Sequence, residues 1–185
     1  MSTSAIAVDP WKDSKSILSG AFVNPSGGSC GYMMSPDDTV KYRIYVMKNS
    51  PYWGNVSGQM NMSNATVTDI LPAGAVLISS TCGATQVGST VTWDVNAPSQ
   101  ILDAANPYAY AYCDFEIYYP AASFPVGTII NNDATLGGTI CNQQVSHTSN
   151  QTCVEVLNFT PNLSGNFQKY ISLTNRVPGC SGVYT

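Results

Sequence analysis

Apolar and polar positions alternate along much of this chain. Residues 39–46, TVKYRIYV, follow this alternation, and TVTDILPAG (66–74) and VGTIINNDATL (126–136) add further strand segments, one of the three phrases running from its strand into a turn. A period of two predicts half-buried β-strands. No stretch carries the 3.6-residue period of an amphipathic helix, and Gly, Pro, Asn and Ser punctuate the strands at short intervals. The pattern predicts strands near 39–48, 64–70, 75–80, 89–95, 108–119, 128–137 and 151–157, with a short early strand near 14–18. Seven or more short strands with turns between them predict an all-β fold, an immunoglobulin-like β-sandwich of about seven to nine strands.

Phase assigns the faces. Val40, Tyr42, Ile44 and Val46 point one way, and Lys41 and Arg43 the other. In 108–119, Ala109, Ala111, Cys113, Phe115 and Ile117 share a face. Tyr108, Tyr110 and Tyr112 travel with Asp114 and Glu116 and are therefore assigned outward, as an ordinary cross-strand aromatic ladder or an interaction face. Three polar residues fall in phase with apolar neighbours: Asp69 with Ala65 and Val67, Asn132 with Ile130 and Ala134, and Lys15 with Ile17. A buried carboxylate is costly unless paired or protonated.

Composition narrows the setting. Charged residues are only 10% of the 185, against roughly 25% in an average domain, so solubility rests on Ser, Thr, Asn and Gln. Such surfaces suit proteins outside cells or packed side by side. The net charge of -4 and only 7 Lys and Arg, without a basic stripe, argue against nucleic acid and anionic membranes as partners. No apolar run approaches the roughly 20 residues of a spanning helix, so no membrane insertion is expected. The start, MSTSAIAVDPWKDSK, lacks the basic and apolar regions of a signal peptide, which places any export signal upstream.

Six cysteines occur, at 30, 82, 113, 141, 153 and 180, with no C-x-x-C pair and one histidine, so disulfides are favoured over a metal site. They imply an extracellular or cell-surface location. Cys141 and Cys153 flank a polar loop and are expected to clamp a hairpin; Cys82 and Cys113 are the second expected pair. Cys30 and Cys180 remain, to pair with each other, within their own repeats, or with a neighbouring subunit. Sequons at Asn55, Asn61, Asn64, Asn150, Asn158 and Asn162 mark polar, exposed segments. His147 lies in a polar loop with no motif partner, Asp37-Asp38 reads as a turn rather than a calcium site, and Gly27-Gly28 lacks the rest of a phosphate loop. No cofactor, metal site or catalytic constellation is expected, and the chain reads as non-enzymatic.

Three segments are expected: 1–36, an N-terminal segment with the early strand; 37–157, the sandwich; and 158–185, a linker (NFTPNLS) followed by the start of a second repeat or a docking tail. FQKYISLTNRVPGCSGVYT near the end parallels DSKSILSGAFVNPSGGSCGYM near the start, matching Lys169 to Lys15 and Cys180 to Cys30.

DDTVKYRIYVMKNS, NATVTDILPAG and GTIINNDATL resemble, in order and spacing, three signatures of the bacterial surface-repeat domain called domain of unknown function eleven. Pro36-Asp37-Asp38 departs from the Pro-Gly-Asp usual there, and the cysteines are not a hallmark of that family. The resemblance covers about 37–157 and implies a spacer or stalk module, with neighbouring repeats or subunits of the same protein as partners. Adhesins and pilins of related sandwich folds join a lysine to an asparagine by an intramolecular isopeptide bond beside a buried acid; Lys15, Asp69 and Asn132 resemble that trio in chain order and strand placement. The alternative leaves Asp69 accepting from turn amides near 71–74, Asn132 capping a strand and Lys15 in solvent. The expected role is a structural module of a surface stalk, fibre or adhesin. Two rivals are a pilin-like filament subunit exchanging a terminal strand (residues 1–20 or 165–185) and a glycan-binding adhesive module using the tyrosine face.

Overall fold

The computed structural model describes residues 11–24, 28–48, 61–95, 110–140 and 142–158. Among them there is no helix. Thirteen strands are present: β1 (Trp11–Ser19), β2 (Phe22–Val23), β3 (Tyr32–Met34), β4 (Asp38–Lys48), β5 (Ser63–Ile70), β6 (Val76–Ser80), β7 (Thr85–Val87), β8 (Thr90–Asp94), β9 (Tyr110–Tyr119), β10 (Ile129–Asn132), β11 (Thr135–Ile140), β12 (Gln143–Thr148) and β13 (Thr152–Val156). The first sheet has the order β1-β4-β9-β6, the second β10-β13-β3-β2 and the third β12-β11-β5-β8-β7. The fold is an all-β, immunoglobulin-like sandwich.

Alternation determines what is buried. Val40, Tyr42, Ile44 and Val46 of β4 are fully buried, facing Cys113, Phe115 and Ile117 of β9. Ala65 and Val67 of β5, Val91 and Trp93 of β8, Leu136 of β11 and Val154 and Val156 of β13 join the same core, so all three sheets share one interior. Removing that apolar area from water is the main stabilising term.

The strand count exceeds seven to nine because the expected strand at 128–137 divides at Asp133-Ala134 into β10 and β11, and because β2, β3, β7 and β12 lack an apolar alternation that would betray them. β12 is a polar edge strand in which Val145 is the one aliphatic residue. The boundary at 37 also shifts. β1 pairs antiparallel with β4 from Trp11↔Lys48 to Ser19↔Lys41, and β3 pairs in parallel with β13, so residues 11–36 contribute strands to the sandwich instead of preceding it. Residues 159–185, including Lys169 and Cys180 of the expected second repeat, lie outside the described residues.

Asp37 holds a backbone conformation uncommon for a residue with a side chain. Its φ of 66° is the left-handed conformation that glycine adopts freely. The roughly 1–2 kcal/mol cost for a residue with a side chain is offset by its carboxylate, which accepts from the Tyr118 hydroxyl and the Ala121 N–H. The same contacts hold its carboxyl below the usual range, the Tyr118 hydrogen bond most of all.

Disulfides join Cys30 to Cys153 and Cys82 to Cys113. The first replaces the expected Cys141–Cys153 clamp. Parallel pairing of β3 beside β13, with Tyr32 against Val154, carries Cys30 to Cys153 from 123 residues away. Cys141 lies outside the described residues.

Candidate functional site

Lys15, Asp69 and Asn132 are all buried, and each comes from a different sheet. On β1 the inward positions are Trp11, Asp13 and Lys15, whose side chains the alternation with Lys12 and Ser14 turns into the core. Asp69 is the last inward residue of β5, one residue before Ile70, which is exposed at the strand end. Asn132 ends β10 opposite Thr152, whose hydroxyl donates to the Asn132 backbone carbonyl at 2.9 Å.

The Lys15 ammonium donates to Asp69 Oδ2 in an ion pair from which both side chains exclude water completely. Its Nζ also lies 4.9 Å over the centre of the Tyr42 ring, a cation–π contact strengthened by desolvation. Lys15 is therefore not in solvent, and Asp69 does not depend on turn amides. Burial lowers the lysine pKa, opposed by Asp69, and raises the Asp69 pKa, opposed by Lys15. Burial dominates on both sides and moves the two groups toward their neutral forms.

Around this pair, hydrogen bonding is incomplete. Asp69 Oδ1 and both amide atoms of Asn132 are buried without a well-formed hydrogen bond. The Asn132 amide is nevertheless close enough to lower the pKa of Asp69 and of Tyr119. A buried polar group left unsatisfied costs roughly 1–3 kcal/mol. Buried groups left in this state call for an explanation, and a carboxamide beside a lysine inclined to lose its proton has one in chemistry.

A second polar group closes the edge of β1. His147, expected in a loop, lies on β12, and its Nδ1 sits 2.6 Å from the buried Asp13 carboxylate and 3.3 Å from the Asp13 backbone nitrogen. The Asn150 side chain pairs with the Lys15 backbone as a strand would, accepting from its N–H at 3.1 Å and donating to its carbonyl at 2.8 Å. Asn150 was read only as a sequon; a glycan on its Nδ2 would break this closure.

The outward assignment of the tyrosines matches Tyr110 and Tyr112, which are 62% and 46% exposed; Tyr108 lies outside the described residues. The Arg43 guanidinium covers the Tyr112 ring at 4.6 Å and forks onto Asp114 at 2.6 and 2.8 Å, while Tyr45 packs 5.7 Å from Tyr112. Arg43 thus covers one face of the Tyr112 ring. Among the described residues no group of three His, Cys, Asp or Glu side chains is arranged to hold a metal.

No family model and no curated protein matches the chain. Solved structures do. BcpA, the major pilin subunit of Bacillus cereus, superposes with a TM-score of 0.51 at 14% identity, over 79% of this chain and 40% of that one. The T6 backbone pilin of serotype M6 Streptococcus pyogenes superposes with a TM-score of 0.55 at 11% identity, over 78% of this chain and 36% of that one. The fold is one that bacterial pilins use. At these identities the pilin likeness concerns architecture alone, and the chain spans well under half the length of either pilin.

The sequence located the trio by phase but offered no sign that the Tyr42 ring would lie under the Lys15 ammonium or that Asn150 would pair with the Lys15 backbone. By phase Tyr42 reads as a plain inward residue, and Asn150 only as a sequon in a polar loop.

Proposed function

We propose that this chain is a non-enzymatic structural module of an extracellular stalk, fibre or adhesin, in which Lys15 and Asn132 form an intramolecular isopeptide bond with Asp69 moving the proton. One observation carries the reading: a dry Lys15–Asp69 pair beside a buried asparagine whose amide has no well-formed partner. Asp69 takes a proton from Lys15, leaving a neutral amine. Nζ attacks Cγ of Asn132; the new N–C bond forms and the carbonyl pair moves onto Oδ1. When the carbonyl re-forms, the Cγ–Nδ2 bond breaks, and the proton released by the attacking nitrogen passes through Asp69 to Nδ2, which departs as ammonia. The bond would tie β1 in the first sheet to β10 in the second and hold both against force.

The pilin fold supports this reading, as does the resemblance to surface repeats, whose three phrases fall on β4, β5 and β10–β11. The two disulfides suit an oxidising, extracellular setting. Against a subunit that donates its N-terminal strand, residues 11–19 already complete the first sheet of their own sandwich.

Intact mass spectrometry tests the cross-link. After allowance for disulfides, the wild type should be lighter than its calculated mass by one ammonia, whereas Lys15→Ala and Asn132→Ala should each show the full mass. A wild type at full mass would remove the cross-link from the proposal.

A further inference from the structure

Lys15 and Asn132 stand on different sheets, β1 in the first and β10 in the second, so no ladder between neighbouring strands sets their separation. One short segment bonds to both. Residues 149–152 lead from β12 into β13. On one side the Asn150 carboxamide accepts from the Lys15 N–H at 3.1 Å and donates to the Lys15 carbonyl at 2.8 Å. On the other, Thr152 lies opposite Asn132, and its hydroxyl donates to the Asn132 carbonyl at 2.9 Å. Ser149 fastens the same segment to Ala134, two residues beyond Asn132. Its N–H donates to the Ala134 carbonyl at 2.8 Å, and its hydroxyl accepts from the Ala134 N–H at 3.0 Å. That hydroxyl also donates to the Asn150 carbonyl at 3.1 Å.

We infer that residues 149–152 form a positioning bracket for the cross-linking reaction: Asn150 is the positioning residue for Lys15, and Thr152 is the positioning residue for Asn132. Both act through the backbones of the reacting residues. This inference rests on the isopeptide reading and adds to it the device that fixes how the two partners approach.

The chemistry depends on such a device. An amine attacks a carboxamide within one molecule only when the two are held in reach and in line, and a misplacement of about 1 Å costs about 10²-fold in rate. Lys15 carries its amine on a flexible stem, so a shift of β1 displaces Nζ with it. Pairing with β4 holds β1 within the first sheet and does not tie it to β10. β1 is an edge strand, and the Lys15 N–H and carbonyl are turned away from β4, where a further strand would pair. Asn150 takes those two groups instead. A hydrogen-bonded path then runs from Lys15 to Asn150, two residues along the chain to Thr152, and on to Asn132. The contact of His147 Nδ1 with the Asp13 backbone nitrogen at 3.3 Å extends the same closure to the next outward position of β1.

The test follows ammonia loss by intact mass, with time counted from the arrest of cell-free synthesis under oxidising conditions. Asn150→Ala is expected to cross-link roughly 10²-fold more slowly, the scale of a displacement of about 1 Å, and Thr152→Val to slow by a smaller factor. Gln86→Ala is the control. It removes a carboxamide closure of the same kind from the opposite edge of the first sheet, where the bonds go to Ala75, Leu77 and Gly88. Urea unfolding in an Asn132→Ala background should show similar losses of stability for Asn150→Ala and Gln86→Ala, yet Gln86→Ala should cross-link at the wild-type rate. A merely structural role for Asn150 would slow both alike. If the wild type cross-links and Asn150→Ala slows no more than Gln86→Ala, the inference is overturned while the isopeptide reading stands. If Asn150→Ala does not fold, Thr152→Val decides, and a wild-type rate there overturns the inference. If the wild type never loses ammonia, the isopeptide reading falls and takes the bracket with it.

Discussion

Lys15 and Asp69 pull stability in directions that pH can separate. Asp69 is raised above 3.8 chiefly by burial, so between 3.8 and its folded value the folded chain holds the extra proton and stability falls as pH rises. Lys15 is lowered below 10.5 chiefly by burial, so between its folded value and 10.5 the unfolded chain holds the extra proton and stability rises with pH. The pair therefore weakens the uncross-linked fold most at intermediate pH. In an Asn132→Ala background, replacing the pair by Lys15→Met and Asp69→Leu should raise stability near neutrality by about 1–4 kcal/mol, with the gain shrinking toward acid and alkali. Urea unfolding across pH measures this. A gain independent of pH would mean that the pair retains its ordinary pKa values. Asp114 behaves in the opposite sense. The Arg43 fork depresses its pKa below 3.8, so its contribution is present above that pH and is lost as pH falls through the folded value. Asp114→Asn should therefore narrow the difference in stability between neutral and strongly acidic solution, read by the same unfolding curves.

At the level of elements, both edges of the first sheet are closed by carboxamide side chains. Asn150 does this at β1. At β6 the Gln86 side chain accepts from the Leu77 N–H at 2.7 Å and donates to the Ala75 carbonyl at 3.1 Å. An open edge is a template for another strand, and β6 has exposed Val76 and Ile78 that would reward pairing. Removing both caps, with Gln86→Ala and Asn150→Ala, should lower stability by about 1 kcal/mol for each lost pairing and promote self-association. Sedimentation velocity against the wild type at equal concentration would detect it, and an unchanged distribution would show that the caps serve stability alone. Gly20 constrains the turn after β1 more tightly. At φ +82° it lies against the Thr39 carbonyl, where a Cβ would approach to 1.9 Å, so substitution there would push β1 off β4.

Across the whole molecule, the Cys30–Cys153 bond and the proposed Lys15–Asn132 bond close overlapping loops. Each restricts the unfolded chain over most of the sandwich, so each should matter less when the other is present. Cys30→Ser with Cys153→Ser should cost about 4–5 kcal/mol in an Asn132→Ala background, by the loop-closure estimate for a loop of roughly 100 residues. It should cost less in the cross-linked wild type. Equal costs in denaturant unfolding would mean that the two links do not constrain the same ensemble.

The sequence by itself determined the strands and faces wherever one side meets the core. β4, β5, β9 and β13 fall where a period of two predicts them, and Asp69 and Asn132 are inward because their phase leaves no other choice. That signal is local, and burial on one face writes it at every second residue. Only the tertiary structure decided which strands meet. β3 pairs in parallel with a strand more than 100 residues later, bringing Cys30 to Cys153. Convergence of three sheets brings Lys15 to Asp69 and leaves Asn132 beside them. Pairing between distant strands depends on shape and packing across the core, and no window along the chain records it.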